Sequence, residues 1–570
     1  MYKFYNTKTR GGEGPSPYIE TDLSGLNLIL NAQLNKGCAF THEEREQFNL
    51  IGYLPEHVET ILDQTTRAYA KYQSQTTHLE KNLFLNALHD ENETLFYKLV
   101  GLHLEEMLPI VYTPTVGDTV QQFSHQPRVA KGLYLSYLNQ KHIHKMIQAL
   151  PDDLRLIVVT DGEAVLGVGD QGVGGIHIAR AKLMVYTLCG GVNPYQVLPV
   201  HLDTGTNNPH LLNDPLYLGY RNERIKGQAY DDFVDQFVHA VTQKFPHLLL
   251  HFEDFGRDNA RRLLDRYREK ICTINGDIQS TGVIALATVL AGVHASGIPF
   301  QNHRIVILGA GTAGLGIADS ICSALERKGL TAQEAKSHFW LLDKQGLLIK
   351  NGHLPIFQAP YARDSQELMH WILRDPQYIS LYDVVKNVKP TILIGCSTVA
   401  GAFNEEIVKL MASNTSRPII MPLSNPNMLS EATPEDLIKW TNNNAIIATG
   451  SPFADVHHNN ESIRIAQSNN AFAFPGIGLG VLAAKAKLVT DSMLSAATDA
   501  LSEYSPAKQN KMAPLLPKLS EAKMVSQHIA LAVAKAAVEA NVAEVAHDTD
   551  FEATIQKIMW EAKYYPYRKI

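Results

Sequence analysis

The stretch RIVILGAGTAGLGIADSICSALERKG, residues 304–329, leaves few folds open. A compact apolar run, a GxGxxG turn and an amphipathic helical repeat follow one another directly, as they do where a strand passes into a helix around a dinucleotide. Glycine is needed in such a turn so that backbone N–H groups at the helix start can approach a pyrophosphate. Gly309, Gly311 and Gly314 fit those roles. Apolar runs at 339–342, 391–394, 418–421 and 445–448 continue the rhythm, and their spacing predicts a doubly wound, largely parallel domain. The run ending at Asp343 puts a carboxylate where an adenine ribose could donate to it, although further along the chain than the usual ~20 residues. That acid favours NAD over NADP, while Lys344 beside it is a cation that could receive a 2′-phosphate.

A second GxGxxG, GVGDQG from Gly167, has a different setting. LRLIVVT reads as a strand, Asp161 and Gly162 as a turn, and AVLGVG as the returning arm of a hairpin, so this copy is expected to be a turn without a nucleotide. Strands are then expected in QVLPVHLD, ending at Asp203, and LLLHF, ending at Glu253, with helices around 181–189 and 230–244. Residues before 148 read as helical, THEEREQF at Thr41 offering a capping box, and those after 482 as alanine-rich helix. The expected fold class is α/β: a helical N-terminal region with a first α/β domain (1–275), a Rossmann-type doubly wound NAD-binding domain (276–480) and a helical C-terminal segment (481–570) packing back on the first domain.

Composition narrows the partners. Acidic residues outnumber basic ones, 58 to 51, for a net charge of −7, which excludes a general polyanion-binding surface and leaves nucleic acid out. Five cysteines without a CxxC pair suggest neither a disulfide framework nor a zinc site, and fit a reducing cytoplasm. The N-terminal MYKFYNTKTRGGEGPSP has no apolar core of the signal-peptide kind. GVIALATVLAGV at 282–293 is too short to span a bilayer and reads as a buried helix.

Glu253 and Asp254 follow an apolar strand, where open α/β sheets place ligands, and Asp277 follows the next expected strand. Three hard oxygen donors without neighbouring cysteine or histidine suit Mg²⁺ or Mn²⁺. Taken singly, each reads equally as a loop residue or helix cap. Tyr112, in IVYTPT at the end of an expected strand, and Lys182, on an expected helix, could be acid and base, yet by pattern alone the stronger reading is a packing tyrosine and a surface lysine.

Longer strings decide between these readings. YTPTVGD at Tyr112, VVTDGE at Val158, LGVGDQGVGG at Leu166, HFEDFGRDNA at His251, GAGTAGLGIA at Gly309, PLSNP at Pro422, ATGSPF at Ala448 and FPGIGLG at Phe474 resemble the malic enzymes and the related malolactic enzymes, over roughly residues 30–565. The resemblance implies NAD- and divalent-metal-dependent oxidative decarboxylation of L-malate by a homodimer or homotetramer. It assigns Tyr112 as general acid, Lys182 as general base, Glu253, Asp254 and Asp277 as metal ligands, and Asn425 and Asn470 as substrate and cofactor contacts.

The chain also departs from that family. Ala164 stands where malic enzymes carry an arginine that forks onto a substrate carboxylate, so Arg180 or His177 is expected to compensate. The family's pair of aspartates before IQ is Gly276 and Asp277 here, which keeps the ligand and removes its neighbour. Malolactic enzymes share the lost arginine, which makes conversion of malate to lactate with bound NAD the alternative, and an impaired binding or regulatory relative a third.

Overall fold

The computed structural model describes residues 2–5, 17–126, 130–165, 167–350, 354–355 and 357–570. Residues 6–16 of the N-terminal stretch and Leu166 of the LGVGDQGVGG string lie outside the described residues.

Two parallel sheets form the frame. The first contains β3 (Leu133–Ser136), β4 (Leu156–Thr160), β5 (Val197–Asp203), β6 (Leu249–Phe252) and β7 (Thr273–Asn275), in the order β3-β5-β4-β6-β7 with every neighbouring pair parallel. All five residues of β4 are buried, as its unbroken LIVVT run requires of a central parallel strand. Its two edges are already filled by β5 and β6, so the expected hairpin does not form. The described residues between Asp161 and Gln171 instead make a loop, in which the Val165–Gly169 bridge is the strand-type pairing.

The second sheet contains β8 (Ile305–Leu308), β9 (Phe339–Asp343), β10 (Gly346–Leu347), β11 (Ile392–Gly395), β12 (Ile419–Pro422), β13 (Ile446–Thr449) and β16 (Ala466–Gln467). The order is β10-β9-β8-β11-β12-β13-β16, antiparallel only where β10 turns back on β9. The direction of winding reverses between β8 and β11, which opens a crevice at the carboxyl end of β8. A hairpin of β14 (Val456–His458) and β15 (Glu461–Ile463) sits outside the sheet.

The first third is mostly helical, and Thr41 closes the expected capping box with Glu44. It is not wholly helical, because β3 joins the first sheet and β1 (Tyr2–Tyr5) and β2 (Tyr18–Thr21) pair with each other. The chain's end returns to the same place, β17 (Tyr567–Lys569) running parallel to β2.

Three apolar helices join the two halves. The Ile176–Gly190 helix is buried on all sides apart from Leu188 and carries almost no amphipathic signal, as expected of a core helix. The Phe474–Ala484 helix packs against it through glycine: a Cβ on Gly478 would stand 2.5 Å from the Tyr186 ring. The Thr281–Ser296 helix continues from a preceding turn as one apolar element, Gly276–Ser296, longer than the run read from sequence. That element is long and apolar enough to cross a membrane, but 78% of its apolar window is buried inside the structure, against the Thr312–Arg327 and Asp491–Glu503 helices. It is the buried helix expected.

Gly478→Ala is expected to overpack the contact with Tyr186, at a cost of about 1–3 kcal/mol, and to lower the thermal unfolding midpoint. An unchanged midpoint would mean the two helices have room to separate.

Candidate active site

Because β6 and β7 are parallel neighbours, the residues that follow them emerge at the same edge of the sheet. Glu253 and Asp254 follow β6, and Asp277 follows β7 in a π-helical turn, Gly276–Ser280. One oxygen from each carboxylate lies within 4.8 Å of the others. All three side chains are buried. Asp254 has φ +56, in the left-handed region that costs most residues energy, and is held there by its carbonyl, which accepts from Ala164 N–H at 3.1 Å, and by its own N–H, which donates to Asp277 Oδ2 at 2.9 Å. Held strain of this kind marks a site that over-determines its ligand geometry. A close, buried, all-oxygen set fits a hard divalent cation.

Lys182 reaches the cluster from the middle of the Ile176–Gly190 helix. Its Nζ is fully buried, 2.8 Å from Glu253 Oε1 and 4.5 Å from the Phe474 ring centroid. Burial alone would push its ammonium down, but Glu253, Tyr112 and Asp277 overcome that and hold it above the ordinary lysine range. Burial raises Glu253, and Lys182 opposes the shift. Asp277 is pushed up to about 7, by burial first and then by the charge of Glu253. Behind Glu253 stands His251, whose pKa burial drives far down, so the ring is neutral. Tyr186 donates its hydroxyl to His251 Nδ1 at 2.8 Å, which leaves Nε2–H to donate to Glu253 Oε2 at 3.0 Å.

Tyr112 does not end a strand. It follows the Leu104–Val111 helix, which stops there because Thr113 precedes a proline and is disfavoured in the α conformation. The hydroxyl is buried, which raises its pKa although Lys182 opposes the rise, and Lys182 Nζ lies 6.0 Å from the ring centroid. Tyr112, Asp277, Ala164, Asn425 and Asn470 line one cavity of about 250 Å³, which runs on to Gly311 and Thr312 of the glycine turn. Asn425 Oδ1 accepts from Ser451 Oγ at 2.5 Å, and Asn470 Nδ2 donates to Thr281 Oγ1 at 3.0 Å.

At the turn itself Gly309 has φ +104, and a Cβ on Gly314 would stand 2.0 Å from Gly309 O, whereas the space in front of Gly311 is open. Gly311 is the N-cap of the Thr312–Arg327 helix, whose first N–H groups therefore face that space. Asp343 ends β9 beside it. The other glycine string is tied down from within. Arg224 grips Asp170 of GVGDQG with Nε and Nη2 at 2.8 and 2.7 Å and donates to the Asp161 carbonyl at 3.0 Å. That loop is a wall of the cavity, with Gly167 in its lining.

The expected substitutes for the missing arginine are elsewhere. Arg180 Nη2 is bound to Asp90 Oδ1 at 2.6 Å and His89 Nδ1 at 2.9 Å, and His177 packs on Phe123. Neither lines the cavity, and no arginine among the described residues does. Gly276 also has a steric reason: a Cβ there would stand 1.9 Å from Glu253 Oε2 and 2.5 Å from His251 Nε2. His251, Tyr186, Phe474 and Arg224 escaped sequence reasoning, although His251 and Phe474 lie in the strings HFEDFGRDNA and FPGIGLG, Tyr186 in the helix expected around 181–189 and Arg224 at the end of LDTGTNNPHLLNDPLYLGYRNER, a further family-like string, so that only their side-chain partners were hidden.

Comparison with known proteins agrees with this geometry. Residues 89–268 match the family described as malic enzyme, N-terminal domain, and residues 278–538 match malic enzyme, NAD binding domain. NAD-dependent malic enzyme 3 of Bacillus subtilis is 49% identical over 557 residues, covering 97% of this chain and 98% of its own. The chain belongs to the malic enzyme family. The NAD-dependent malic enzyme of Photorhabdus laumondii is 48% identical, with 96% of this chain and 97% of its own covered. Among solved structures, the Entamoeba histolytica malic enzyme superposes with a TM-score of 0.55 at 22% identity, covering 89% of each chain, and that of Pyrococcus horikoshii with 0.52 at 21%, covering 80% and 89%, likenesses that bear on the fold.

Within this family member, the raised Asp277 carboxyl has a consequence for stability. The folded chain keeps a proton that the unfolded chain loses near pH ~4, so this group's contribution to stability falls as pH rises from about 4 through about 7. A cation bound by the three carboxylates removes that loss. The rise in unfolding midpoint produced by Mn²⁺ over EDTA is expected to be larger at about pH 8 than at about pH 5.5, and equal shifts at both would count against the site.

Proposed function

We propose that the chain is an NAD-dependent malic enzyme, which oxidatively decarboxylates L-malate to pyruvate and CO2 using Mg²⁺ or Mn²⁺. One observation supports this above the rest: Tyr112, Asp277 and Gly311 of the dinucleotide-type turn line a single cavity, and Lys182, Glu253 and Asp254 gather directly behind Tyr112 and Asp277. In this reading Glu253, Asp254 and Asp277 hold the cation, Gly309, Gly311, Gly314 and Asp343 hold NAD, and Asn425 and Asn470 orient the substrate. The five free cysteines support a cytoplasmic, reducing setting, and we place the divisions of the chain at 275/276 and 480/481, in a homodimer or homotetramer.

When bound, NAD supplies the hydride acceptor and the cation a Lewis acid for the ketone oxygen. The residues of the chain handle the protons. Glu253 holds a proton on Lys182; once the carboxylates are engaged with a cation, the burial of Lys182 is less opposed and favours the neutral amine. Lys182 then takes the C2 hydroxyl proton as hydride leaves C2. Loss of the β-carboxylate as CO2 leaves an enolate, and Tyr112 protonates its carbon. The ammonium of Lys182 returns a proton to Tyr112, so the hydroxyl proton ends on the pyruvate methyl and the enzyme is restored. Asn425, fixed by Ser451, and Asn470, fixed by Thr281, present amides to the substrate carboxylates, a role that no arginine among the described residues fills.

Incubation with L-malate, NAD⁺ and Mn²⁺ is expected to give NADH and pyruvate in equal amounts. Lactate accumulating without net NADH would overturn the proposal. Lys182→Met should lower kcat on the order of 10²–10⁴-fold while NAD binding persists. Ala164→Arg is expected to lower the KM for malate, the added charged contact being worth roughly 1.5–3 kcal/mol at most. An unchanged KM would show that the amides already hold that carboxylate.

A further inference from the structure

Asp343 stands where this fold recognises the adenine ribose, and an isolated carboxylate there repels a 2′-phosphate. In this chain it is not isolated. Asp343 Oδ2 accepts from Gln358 Nε2 at 2.8 Å and lies 3.7 Å from Arg257 Nη2, while Oδ1 accepts from the Lys344 N–H at 3.0 Å. Gln358 Nε2 and Arg257 Nη2 both also donate to the carbonyl of Ala310, at 2.8 and 3.3 Å. Carboxylate, amide and guanidinium therefore converge on the middle residue of Gly309–Ala310–Gly311.

Arg257 comes from the opposite half of the molecule. It opens the Arg257–Tyr267 helix, just after the Glu253–Asp254 pair and Gly256, and crosses the crevice to the glycine turn. Its guanidinium lies 4.4 Å from the Phe357 ring centroid, which fixes its plane. Nε is buried without a hydrogen-bond partner, yet the side chain is 39% exposed, so part of the fork beside Asp343 is open to solvent. A guanidinium held in this way offsets the acid and keeps donors suited to bidentate binding of a phosphate.

We propose that Arg257 is a specificity-determining residue of the dinucleotide site: it cancels the charge of Asp343 and offers a cation to a 2′-phosphate, so that NADP binds alongside NAD. This rests on the dinucleotide reading of the glycine turn given above.

Equilibrium binding to the full-length enzyme tests it, by calorimetry with NAD⁺, NADP⁺, AMP and adenosine 2′,5′-bisphosphate. The wild type is expected to bind NADP⁺ within about tenfold of NAD⁺, and Arg257→Gln to weaken NADP⁺ and the bisphosphate about tenfold or more while NAD⁺ and AMP change less than about threefold. Arg257→Lys should keep most of the NADP⁺ affinity. Asp343→Asn, which leaves the cation in place, should strengthen NADP⁺ relative to NAD⁺, and it carries the test if Arg257→Gln does not fold. An unchanged ratio in both variants, an equal loss of all four ligands in Arg257→Gln, or a wild type that does not bind NADP⁺ would overturn the proposal. The two readings fail separately. An enzyme that forms NADH from malate but ignores NADP⁺ sinks this inference alone, whereas one that binds both dinucleotides and turns over no malate sinks the proposed function alone.

Discussion

The ion pair between Lys182 and Glu253, 2.8 Å long and closed to solvent, governs the surroundings of both residues. A lone ammonium in the middle of a wholly buried helix would be expelled or neutralised. Glu253 must therefore meet it, and the sheet must deliver Glu253 there, so β6 ends where it does. The remaining lone pairs of Glu253 need a donor, which His251 supplies only because Tyr186 fixes its tautomer. Tyr186 in turn needs Gly478 to leave its ring in place, and the carboxylate needs Gly276 to leave it room. Two glycines and two aromatic rings thus follow from one buried charge pair.

The same pair explains what could be read in the linear chain. Five of the seven strands of the second sheet fall within a residue of where their apolar runs predict, because each is bounded by turn or helix signals that act locally, whereas the two-residue β10 and β16 are too short to leave such a run. The carboxylate trio was legible as three acids after two strands, since parallel strands must release their ends on one side. The Ala164 loop was misread as a hairpin arm because its strand's true neighbours, β5 and β6, arrive from far along the chain. Tyr112 was put at a strand end because IVY has the composition of a strand, whereas the preceding LEEMLP turns had already set a helix. Arg180 illustrates a different limit. It sits two positions before Lys182, on another face of the helix, and Asp90 waits for it there. Residue type and proximity in sequence suggested a substrate contact, but helical geometry sent the side chain elsewhere.

The two glycine strings carry the same letters and opposite fates. At Gly309 the turn leaves open space before Gly311, where the Thr312–Arg327 helix begins, while in the Gly167 string Asp170 is filled by Arg224. Glycine spacing alone gives a permissive backbone. Whether an anion can use it depends on charged side chains that the motif does not contain.

The π turn at Gly276–Ser280 gives the Thr281–Ser296 helix a mechanical role. One end of that helix carries Asp277, and its body lies against β12 and β13 of the nucleotide sheet and against the Thr312–Arg327 helix that starts at the glycine turn. A stiff rod fixed at both places cannot let one move without the other. Packed along its length against the nucleotide half, the rod joins that half to the π turn that carries Asp277. The start of the glycine-turn helix and the third carboxylate are thus built onto one continuous apolar element rather than onto separate loops.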